Sequence, residues 1–389
     1  DIQRKREPTL MLIGKYYQCF KSNSSLDEML NWYNMKNIMQ HRPTFEKEEA
    51  LSVYNYMLED TFITEYKKTI ELENIICQYL NCKNCIMTTS GTTSIILALM
   101  SLDLNMNDEV IVPNYTMIAT INAVKFLNLK PIIIDVDKDT FTLNIESIKK
   151  NITKKTKAII HVSLNNRYKN LDKIAKYCNL NDIKLIEDSA QSLGCKINGK
   201  SIGTFGDIGC FSLSTPKIIS TGQGGFCVTN DDNLANKMRM IKNFGRKESG
   251  KDNFEVFGIN LKFTDLQAVI GIEQMKKLDY RVNRMKEIYN LYYENLKDIM
   301  IKSLSDEWIP WFVDIFVDNR EELVDFLKKH KISTRPVYQQ INKTKMYYSE
   351  KVLPNSNYIC SKGLFLPSYI TIKNEDIIQI CKLIKLFYN

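Results

Sequence analysis

Hydrophobic and polar residues alternate along most of this 389-residue chain with two different periods. Short apolar runs predict β-strands, and longer segments with an apolar residue every third or fourth position predict amphipathic helices. Strands that alternate with helices are typical of an α/β fold with a mostly parallel sheet and helices on both faces. The expected strands are 85–89, 109–112, 131–136, 158–163, 184–187, 208–213 and 225–228, and the expected helices are 46–57, 66–80, 94–102, 115–127, 145–151, 171–179 and 234–244.

The pattern changes after Thr264, where a long apolar-periodic helix begins and runs on towards residue 296. A smaller α+β unit follows it. Its expected elements are a strand at 311–317, a helix at 320–329, a strand at 333–337 and a helix at 375–387. We therefore divide the chain into an N-terminal extension (1–40) with a helix start at Ser25, a large α/β domain (41–264), and a connecting helix with a small C-terminal α+β domain (265–389).

Composition narrows the class of protein further. The chain is 44% hydrophobic and 25% charged, as in ordinary globular proteins, and no apolar run approaches the roughly 20 residues of a membrane helix. No apolar signal core follows the basic first residues, so we expect a cytoplasmic protein without a membrane partner. Its ten cysteines should then remain reduced. A lone CxxC at 82–85 is two ligands short of a structural zinc site, so no metal is expected.

The formal net charge of +8 suggests an anionic partner but does not indicate nucleic acid. A nucleic-acid-binding protein concentrates its positive charge in a stripe with interleaved aromatic residues. Here the lysines are spread along helical stretches and mixed with acidic residues. We expect a solvated, lysine-rich surface that can attract a small anionic substrate such as a nucleotide sugar.

The first candidate for chemistry is Lys217, in a short polar loop between the expected strands 208–213 and 225–228. Partial burial there disfavours the ammonium form and lowers the pKa of the amine. A free amine can form a Schiff base with a carbonyl compound. A surface lysine beside a glycine turn has the same local sequence, so the neighbouring candidates must decide between the two interpretations.

Four more candidate sites lie where expected strands end or a helix begins. Ser90-Gly91-Thr92-Thr93 joins a strand to a helix, and free amides at a helix N-terminus bind phosphate. Asp188 ends a strand, where its carboxylate can keep a pyridinium nitrogen protonated. Ser212 lies five residues before Lys217, within expected reach of a phosphate oxygen, and Asn260 lies in a glycine-containing turn. Helix capping is the alternative role for the first turn and for Asp188. Together with Lys217, these groups are the components of a pyridoxal 5′-phosphate site.

Seven motifs in a fixed order carry a resemblance to a known family. From about Arg42 to its end, the chain resembles the DegT/DnrJ/StrS family of sugar aminotransferases, which have the fold-type-I pyridoxal-phosphate architecture. The resemblance is strongest to the branch that acts on nucleotide-linked 4-keto-6-deoxy sugars, such as viosamine and perosamine synthases. The motifs are SGTTS (90–94), VPNYTMIATINAV (112–124), IEDSAQSLG (186–194), GTFGDIGCFSLSTPK (203–217), TGQGG (221–225), GINLKFTDLQAVIGIEQMKKLD (258–279) and TRPVY (334–338).

The resemblance assigns four residues to the ring of the cofactor. It implies that Lys217 carries pyridoxal 5′-phosphate as a Schiff base and then shuttles the proton between cofactor and substrate. It also implies that Asp188 pairs with the pyridine nitrogen and that Gln191 lies beside the ring and its 3-oxygen. Met117 stands where the family often has a stacked aromatic residue, and its polarisable sulfur can pack there instead.

The other predicted residues are assigned to the phosphate group of the cofactor. The resemblance implies that Gly91, Thr92 and Ser212 hold it. It implies that Asn260 reaches the phosphate in the neighbouring subunit, so the active sites would be shared in a homodimer. Two departures from the family pattern also stand out. Lys262 replaces a more usual arginine, so the bidentate hydrogen bonding of a guanidinium group is lost. Residues 164–167 replace a commoner glycine-containing loop.

The function implied is transfer of an amino group from glutamate, through pyridoxamine 5′-phosphate, to the 4-keto carbon of a nucleotide-linked sugar. Some relatives have histidine in place of the lysine and are dehydratases, so Lys217 favours transamination. Two alternatives stay open: the same fold acting at another sugar carbon or on a cyclitol, and a non-catalytic regulator that only binds cofactor or sugar. Contacts with the sugar are expected near residues 61–64, 165–167 and Tyr338.

Overall fold

The computed structural model describes residues 37–389, with the exception of 60, 249, 303, 304 and 306. The expected helix start at Ser25 therefore lies outside the described residues. Within them, the chain forms strands β1 (Asn84–Thr88), β2 (Glu109–Pro113), β3 (Lys130–Ile134), β4 (Thr156–Val162), β5 (Lys184–Asp188), β6 (Lys196–Ile197), β7 (Lys200–Ser201), β8 (Ile208–Ser212), β9 (Gly225–Thr229), β10 (Asp314–Phe316), β11 (Arg335–Pro336) and β12 (Gly363–Phe365).

Helices surround these strands and connect most of them. Short 3₁₀ turns at Leu164–Asn166, Lys297–Ile299 and Ile341–Lys343 supplement the α-helices. The α-helices are α1 (Lys47–Leu58), α2 (Lys67–Leu80), α3 (Gly91–Ser101), α4 (Ile118–Phe126), α5 (Ile145–Asn151), α6 (Leu171–Leu180), α7 (Asp232–Lys242), α8 (Asp265–Lys276), α9 (Leu278–Leu296), α10 (Arg320–Lys329), α11 (Pro354–Lys362) and α12 (Asn374–Tyr388).

Seven strands form one large sheet in the order β1-β9-β8-β5-β4-β2-β3. Six of them run in the same direction, and β9 is antiparallel to both of its neighbours. Successive residues of a strand face opposite sides of the sheet, and on β4 Ile159 and Ile160 accordingly pack into two different hydrophobic cores. This mostly parallel sheet, covered on both faces, confirms the predicted α/β class.

The smaller C-terminal sheet has three antiparallel strands in the order β10-β12-β11. Its central strand β12 and the preceding helix α11 were not anticipated, because a three-residue strand leaves no periodic pattern to detect. The expected strand at 311–317 is shortened to Asp314–Phe316, and the long helix after Thr264 is divided at Lys277. The division of the chain into domains at residues 40 and 264 stays a prediction.

No helix within the described part of the chain is long and apolar enough to cross a membrane. The cytoplasmic location stays a prediction.

A fully buried carboxylate at the start of α8 links three helices through hydrogen bonds. Asp265 accepts hydrogen bonds from the hydroxyls of Tyr56 (2.9 Å) and Thr69 (2.6 Å) and from the backbone N–H groups of Tyr66 (2.8 Å), Lys68 (2.9 Å) and Thr69 (3.0 Å). Burial alone raises the pKa of this carboxyl, but these hydrogen bonds outweigh burial and lower it below its ordinary value. The ionised carboxylate of Asp265 therefore stabilises the packing of α1, α2 and α8.

We expect the substitution Asp265→Asn to lower the free energy of unfolding by about 3 kcal/mol, because the amide cannot accept all five hydrogen bonds. Since the folded-state pKa of Asp265 is lowered, the difference from wild type should be complete above the unfolded pKa of about 3.9 and should shrink as the pH falls further. Chemical denaturation of the apoprotein at several pH values measures both effects.

The matched control is Asp279→Asn, because the exposed Asp279 accepts a single side-chain hydrogen bond, from the hydroxyl of Tyr79 (3.1 Å). It should cost less than about 0.5 kcal/mol. Equal losses in the two variants would contradict the anchoring role of Asp265.

Candidate active site

A cavity of about 240 Å³ lies at the carboxyl ends of β4, β5 and β8. Ligands of parallel α/β sheets bind at this edge, because the loops that follow the strands converge there. Seven of the eight predicted site residues line the cavity together: Gly91, Thr92, Met117, Asp188, Gln191, Ser212 and Lys217. The roles assigned to them individually stay predictions.

One end of the cavity is the turn between β1 and α3. Ser90 caps the helix, because its hydroxyl accepts from the N–H of Thr93 (3.2 Å) while its own N–H donates to the Thr93 hydroxyl (2.9 Å). The first helical hydrogen bond then runs from the N–H of Ser94 to the carbonyl of Ser90 (3.0 Å). The N–H groups of Gly91 and Thr92 have no acceptor within the helix, so this turn can bind an anionic group.

Close backbone packing brings a second group to the same end. A Cβ atom on Gly91 would lie 2.7 Å from the Cβ of Ser212, and one on Gly225 would lie 2.4 Å from the carbonyl carbon of Ser90. Both distances are too short for any side chain larger than that of glycine. The two glycines therefore allow β8 and β9 to pack against the turn and place Ser212 beside it.

The opposite end holds the Asp188 carboxylate, at the last residue of β5. Asp188 is only 6% exposed and accepts from the Thr120 hydroxyl (2.7 Å) and from the N–H of Ala190 (3.2 Å). Burial raises the pKa of this carboxyl, and the two hydrogen bonds and the charge of Lys217 offset burial only in part. A buried carboxylate in this position is stabilised by a cationic partner, such as a protonated pyridine nitrogen.

Lys217 lies between these ends, in the loop from β8 to β9. Its Nζ lies 4.5 Å from the centroid of the Trp311 ring. Burial lowers the pKa of Lys217 from 10.5 to about 8, against the opposing charge of Asp188 and with a contribution from Arg335. At pH 8 about half of such amines are uncharged, against roughly 0.3% of ordinary lysines. The protein thus maintains a nucleophilic amine near neutral pH.

Gln191 and Met117 form parts of the wall. The Gln191 Oε1 accepts a hydrogen bond from the N–H of Asn165 (2.6 Å), and the Gln191 side chain also hydrogen-bonds the hydroxyl of Tyr338. Met117 is 45% exposed and has an extended backbone immediately before α4. The helix expected at 115–127 starts only at Ile118 for this reason, and the segment before it lines the cavity.

Asn260 is the one predicted site residue that does not line the cavity of its own chain. It is exposed, and its side-chain oxygen accepts from the N–H of Lys262 (3.2 Å). Contact between Asn260 and a bound phosphate group would need a neighbouring subunit. That role stays a prediction.

None of residues 165–167 lines this cavity and all three are buried, and their expected contact with the sugar stays a prediction. Asn165 is 2% exposed and Arg167 is 1% exposed. The Arg167 guanidinium forms a bidentate ion pair with Asp314, with both N–O distances at 2.7 Å. These side chains link the loop after β4 to the C-terminal part of the chain because their polar groups find all their partners there. Tyr338 does line the cavity, whereas residues 61–64 do not.

Sequence reasoning missed two prominent residues of the cavity wall, Trp311 and Arg335. Arg335 lies within the TRPVY motif, and Trp311 begins the apolar run WFVDIFV. The first was a signal of the family and the second was an expected strand, but neither indicated which side chain faces the cavity. The placement of these residues depends on contacts with distant parts of the chain.

The residues of the cavity fit pyridoxal 5′-phosphate: an anion-binding turn at one end, a buried carboxylate at the other and an amine of lowered pKa between them. The sheet and this cavity define a fold-type-I, pyridoxal-phosphate-dependent class of enzyme.

Comparison with known proteins identifies the family. Residues 43–385 match the DegT/DnrJ/EryC1/StrS aminotransferase family. A GDP-perosamine synthase of Escherichia coli O157:H7 is 34% identical over 364 residues, which are 91% of this chain and 100% of that protein. The chain belongs to the DegT/DnrJ/EryC1/StrS aminotransferase family, and the predicted family, enzyme class and cofactor are confirmed.

Solved structures show the same fold. Helicobacter pylori PseC, an aminotransferase of pseudoaminic acid biosynthesis, superposes with a TM-score of 0.85 at 22% identity and covers 91% of this chain and 100% of its own. An E. coli GDP-4-keto-6-deoxy-D-mannose-3-dehydratase with bound hydrated pyridoxal phosphate has a TM-score of 0.81 at 25% identity and covers 90% of this chain and 100% of its own. The chain is thus a sugar aminotransferase with this fold.

Competitive labelling of the amines of the apoprotein at a series of pH values measures their reactivity. The reactivity of Lys217 should rise with a midpoint near its pKa of about 8. The substitution Asp188→Asn should move the midpoint to lower pH, because it removes the charge that stabilises the ammonium form. Arg335→Gln should move it to higher pH, because it removes a repulsive charge. Mass spectrometry of the labelled peptides measures the three midpoints.

Label on the exposed Lys276 provides the internal reference for reagent concentration in each sample. A Lys217 midpoint near 10.5, or shifts in the same direction for the two variants, would contradict this electrostatic description of the site.

Proposed function

We propose that the protein transfers the amino group of glutamate to the 4-keto carbon of a nucleotide-linked 4-keto-6-deoxy sugar. The product would be a 4-amino-4,6-dideoxy sugar nucleotide. The observation that carries the proposal is the amine of Lys217, held in one cavity with the Asp188 carboxylate and the anion-binding turn at Gly91. The similarity to a GDP-perosamine synthase supports the choice of substrate class.

Lys217 would move the proton in both halves of the reaction. Its pKa of about 8 means that the amine accepts a proton and gives it up again within the neutral range. In the first half it takes the proton from Cα of glutamate, and in the second it delivers a proton to the sugar carbon that receives nitrogen. Pyridoxal 5′-phosphate, when bound, would supply the electron sink: it would accept the electron pair left when the first proton is removed and return a pair when the second proton is delivered.

The other residues would bind the cofactor and the substrates and orient them. The N–H groups of Gly91 and Thr92, with the Ser212 hydroxyl, would bind the phosphate of the cofactor, and Asp188 would keep its ring nitrogen protonated. Arg335 brings a positive charge to the wall next to Lys217. A guanidinium there suits the carboxylates of glutamate and the phosphates of a sugar nucleotide.

The shared active site of a homodimer is part of the proposal. Asn260 is exposed outside its own cavity, and the nearby Phe254 and Phe257 are 57% and 81% exposed. Burial of such exposed apolar side chains against a partner subunit would stabilise the association of the two subunits. A second copy of the chain would bury them and bring Asn260 to the phosphate end of the opposite cavity.

Incubation with glutamate and 4-keto-6-deoxy sugars linked to UDP, GDP or TDP should yield a product whose NMR spectrum shows nitrogen at C4. The variant Lys217→Ala should lose the visible absorption of bound cofactor and at least about a thousandfold of the rate. Lys276→Ala, a lysine on the exposed face of α8, is the matched control and should behave as wild type.

A Lys217→Ala protein that retains the absorption band would refute the role of Lys217. Amination of a 3-keto substrate, without reaction at a 4-keto carbon, would show that the enzyme acts at another position. Cofactor binding without turnover of any keto sugar would favour a regulatory role.

Mixed dimers test the sharing of active sites. Lys217→Ala removes the amine, and Asn260→Asp places a negative charge beside the partner's phosphate site, so each variant alone should be inactive. Subunits exchanged at equal amounts should recover about a quarter of wild-type activity, because half of the dimers are mixed and each mixed dimer has one intact site. No recovery after proven subunit exchange would contradict the contribution of Asn260 from a second subunit.

A further inference from the structure

Trp311 separates two cavities that meet at Lys217. One is the 240 Å³ cavity described above, and the other is a smaller space of about 30 Å³ on the far side of the indole. Lys217, Gln191 and Pro216 line both of them, as does Trp311 itself. The smaller space has room for about one water molecule. The indole is thus a shared wall, or partition, between the larger cavity and a small chamber beside the amine.

Two hydrogen bonds and a stacking contact hold Trp311 in place. Its Nε1–H donates to the carbonyl of Pro216 (2.8 Å), the residue immediately before Lys217. The backbone N–H of Trp311 donates to the side-chain oxygen of Asn165 (2.8 Å). The ring also stacks on Phe312, with centroids 3.8 Å apart. Trp311 is therefore fixed both to the loop that carries Lys217 and to the loop after β4.

Asn165 is the centre of this arrangement. Its Nδ2 donates to the carbonyl of Phe312 and to Asp314, both at 2.9 Å, and its backbone N–H donates to the Gln191 Oε1 (2.6 Å). Its φ of +49° lies in the left-handed region that asparagine tolerates better than most residues. One buried side chain thus sets the backbone of Trp311, and the same residue sets the amide of Gln191.

The aromatic face has a direct consequence for the amine. The lysine side chain has four rotatable bonds, and proton transfer requires its amine within a few tenths of an ångström of the productive position. The Trp311 ring 4.5 Å from Nζ attracts the ammonium form and occupies the space on that side of the amine, which limits rotation of the side chain. We propose that Trp311 is the positioning residue of Lys217, and that Asn165 positions Trp311.

The small chamber indicates how a smaller side chain at position 311 would affect Lys217. With leucine at position 311 the partition would be lost and the two cavities would join. Lys217 could then turn towards the polar groups of the chamber, among them His41, whose Nδ1 has no hydrogen-bond partner within the described residues. The amine would remain present, but it would spend less time in the position from which it transfers a proton.

The experiment compares Trp311→Leu and the milder Trp311→Phe with wild type. The first measurement is the single-turnover rate constant of the half-reaction at saturating glutamate, with the apparent affinity for glutamate. This measurement rests on the proposed function. The second is the visible circular dichroism of the bound cofactor divided by its absorbance, which reports how rigidly the linkage to Lys217 is oriented and needs no substrate.

Trp311→Leu should lower the rate constant by about tenfold to a hundredfold, change the apparent affinity for glutamate less than about threefold, and at least halve the dichroism per absorbance. Trp311→Phe should lie between Leu and wild type, because phenyl retains an aromatic face but loses the hydrogen bond to Pro216. Asn165→Ala should resemble Trp311→Leu.

The matched controls are Tyr292→Phe and Asn342→Ala. Tyr292 is fully buried and its hydroxyl donates one hydrogen bond, to the carbonyl of Pro367 (2.9 Å), but it lines neither cavity. Asn342 is 1% exposed and donates to the carbonyl of Lys351 (2.8 Å), away from the cavity. Both controls should lose stability but keep the wild-type rate constant and dichroism.

Wild-type dichroism in Trp311→Leu and in Trp311→Phe, or an equal decrease in Tyr292→Phe, would overturn the proposal. If wild type shows no spectral response to glutamate, the choice of amino donor is refuted instead. The dichroism of the variants then still decides whether Trp311 positions Lys217.

Discussion

The active site depends on one amine that is held out of water. Burial lowers the pKa of Lys217 to about 8, and the buried Asp188 carboxylate limits that change through its opposite charge. Neither group would behave in this way on an open surface, because water would screen the charges and restore ordinary values. The large sheet supplies Asp188 and the loop of Lys217, but the C-terminal part of the chain supplies Trp311 as the cover. The chemistry of the amine therefore depends on contacts between segments far apart in the sequence.

The sequence predicted which residues of the large sheet and its loops meet in the cavity, and the reason is local. Parallel strands bring their carboxyl ends to one edge of a sheet, so a residue that ends a strand, such as Asp188, can be placed without knowledge of distant contacts. The turn at Ser90 to Thr92 is equally local, because a strand-to-helix junction exposes free N–H groups wherever it occurs. Seven predicted residues consequently meet in one cavity.

The wall formed by Trp311 and Arg335 was not predictable in the same way. The bond between Trp311 and Asn165 spans 146 positions in the chain, and no periodicity links the two residues. The loop at 164–167 shows the limit most clearly. A polar loop after a strand suggests contact with a ligand, yet Arg167 points inward and pairs with Asp314. Sequence reveals that a polar group needs a partner, but not whether the partner is a ligand or another part of the protein.

Different parts of the chain form the cavity, and this difference bears on specificity. The turn at Gly91 and Asp188 belong to the large sheet and its connections, whose fold is shared with an E. coli dehydratase and with PseC at only 25% and 22% identity. Trp311, Arg335 and Tyr338 come from later segments of the chain and form the remaining wall. Changes in those later segments can alter the substrate without disturbing the groups that hold the cofactor. One fold can then serve several sugars and more than one reaction, because function lies in the side chains grafted onto it.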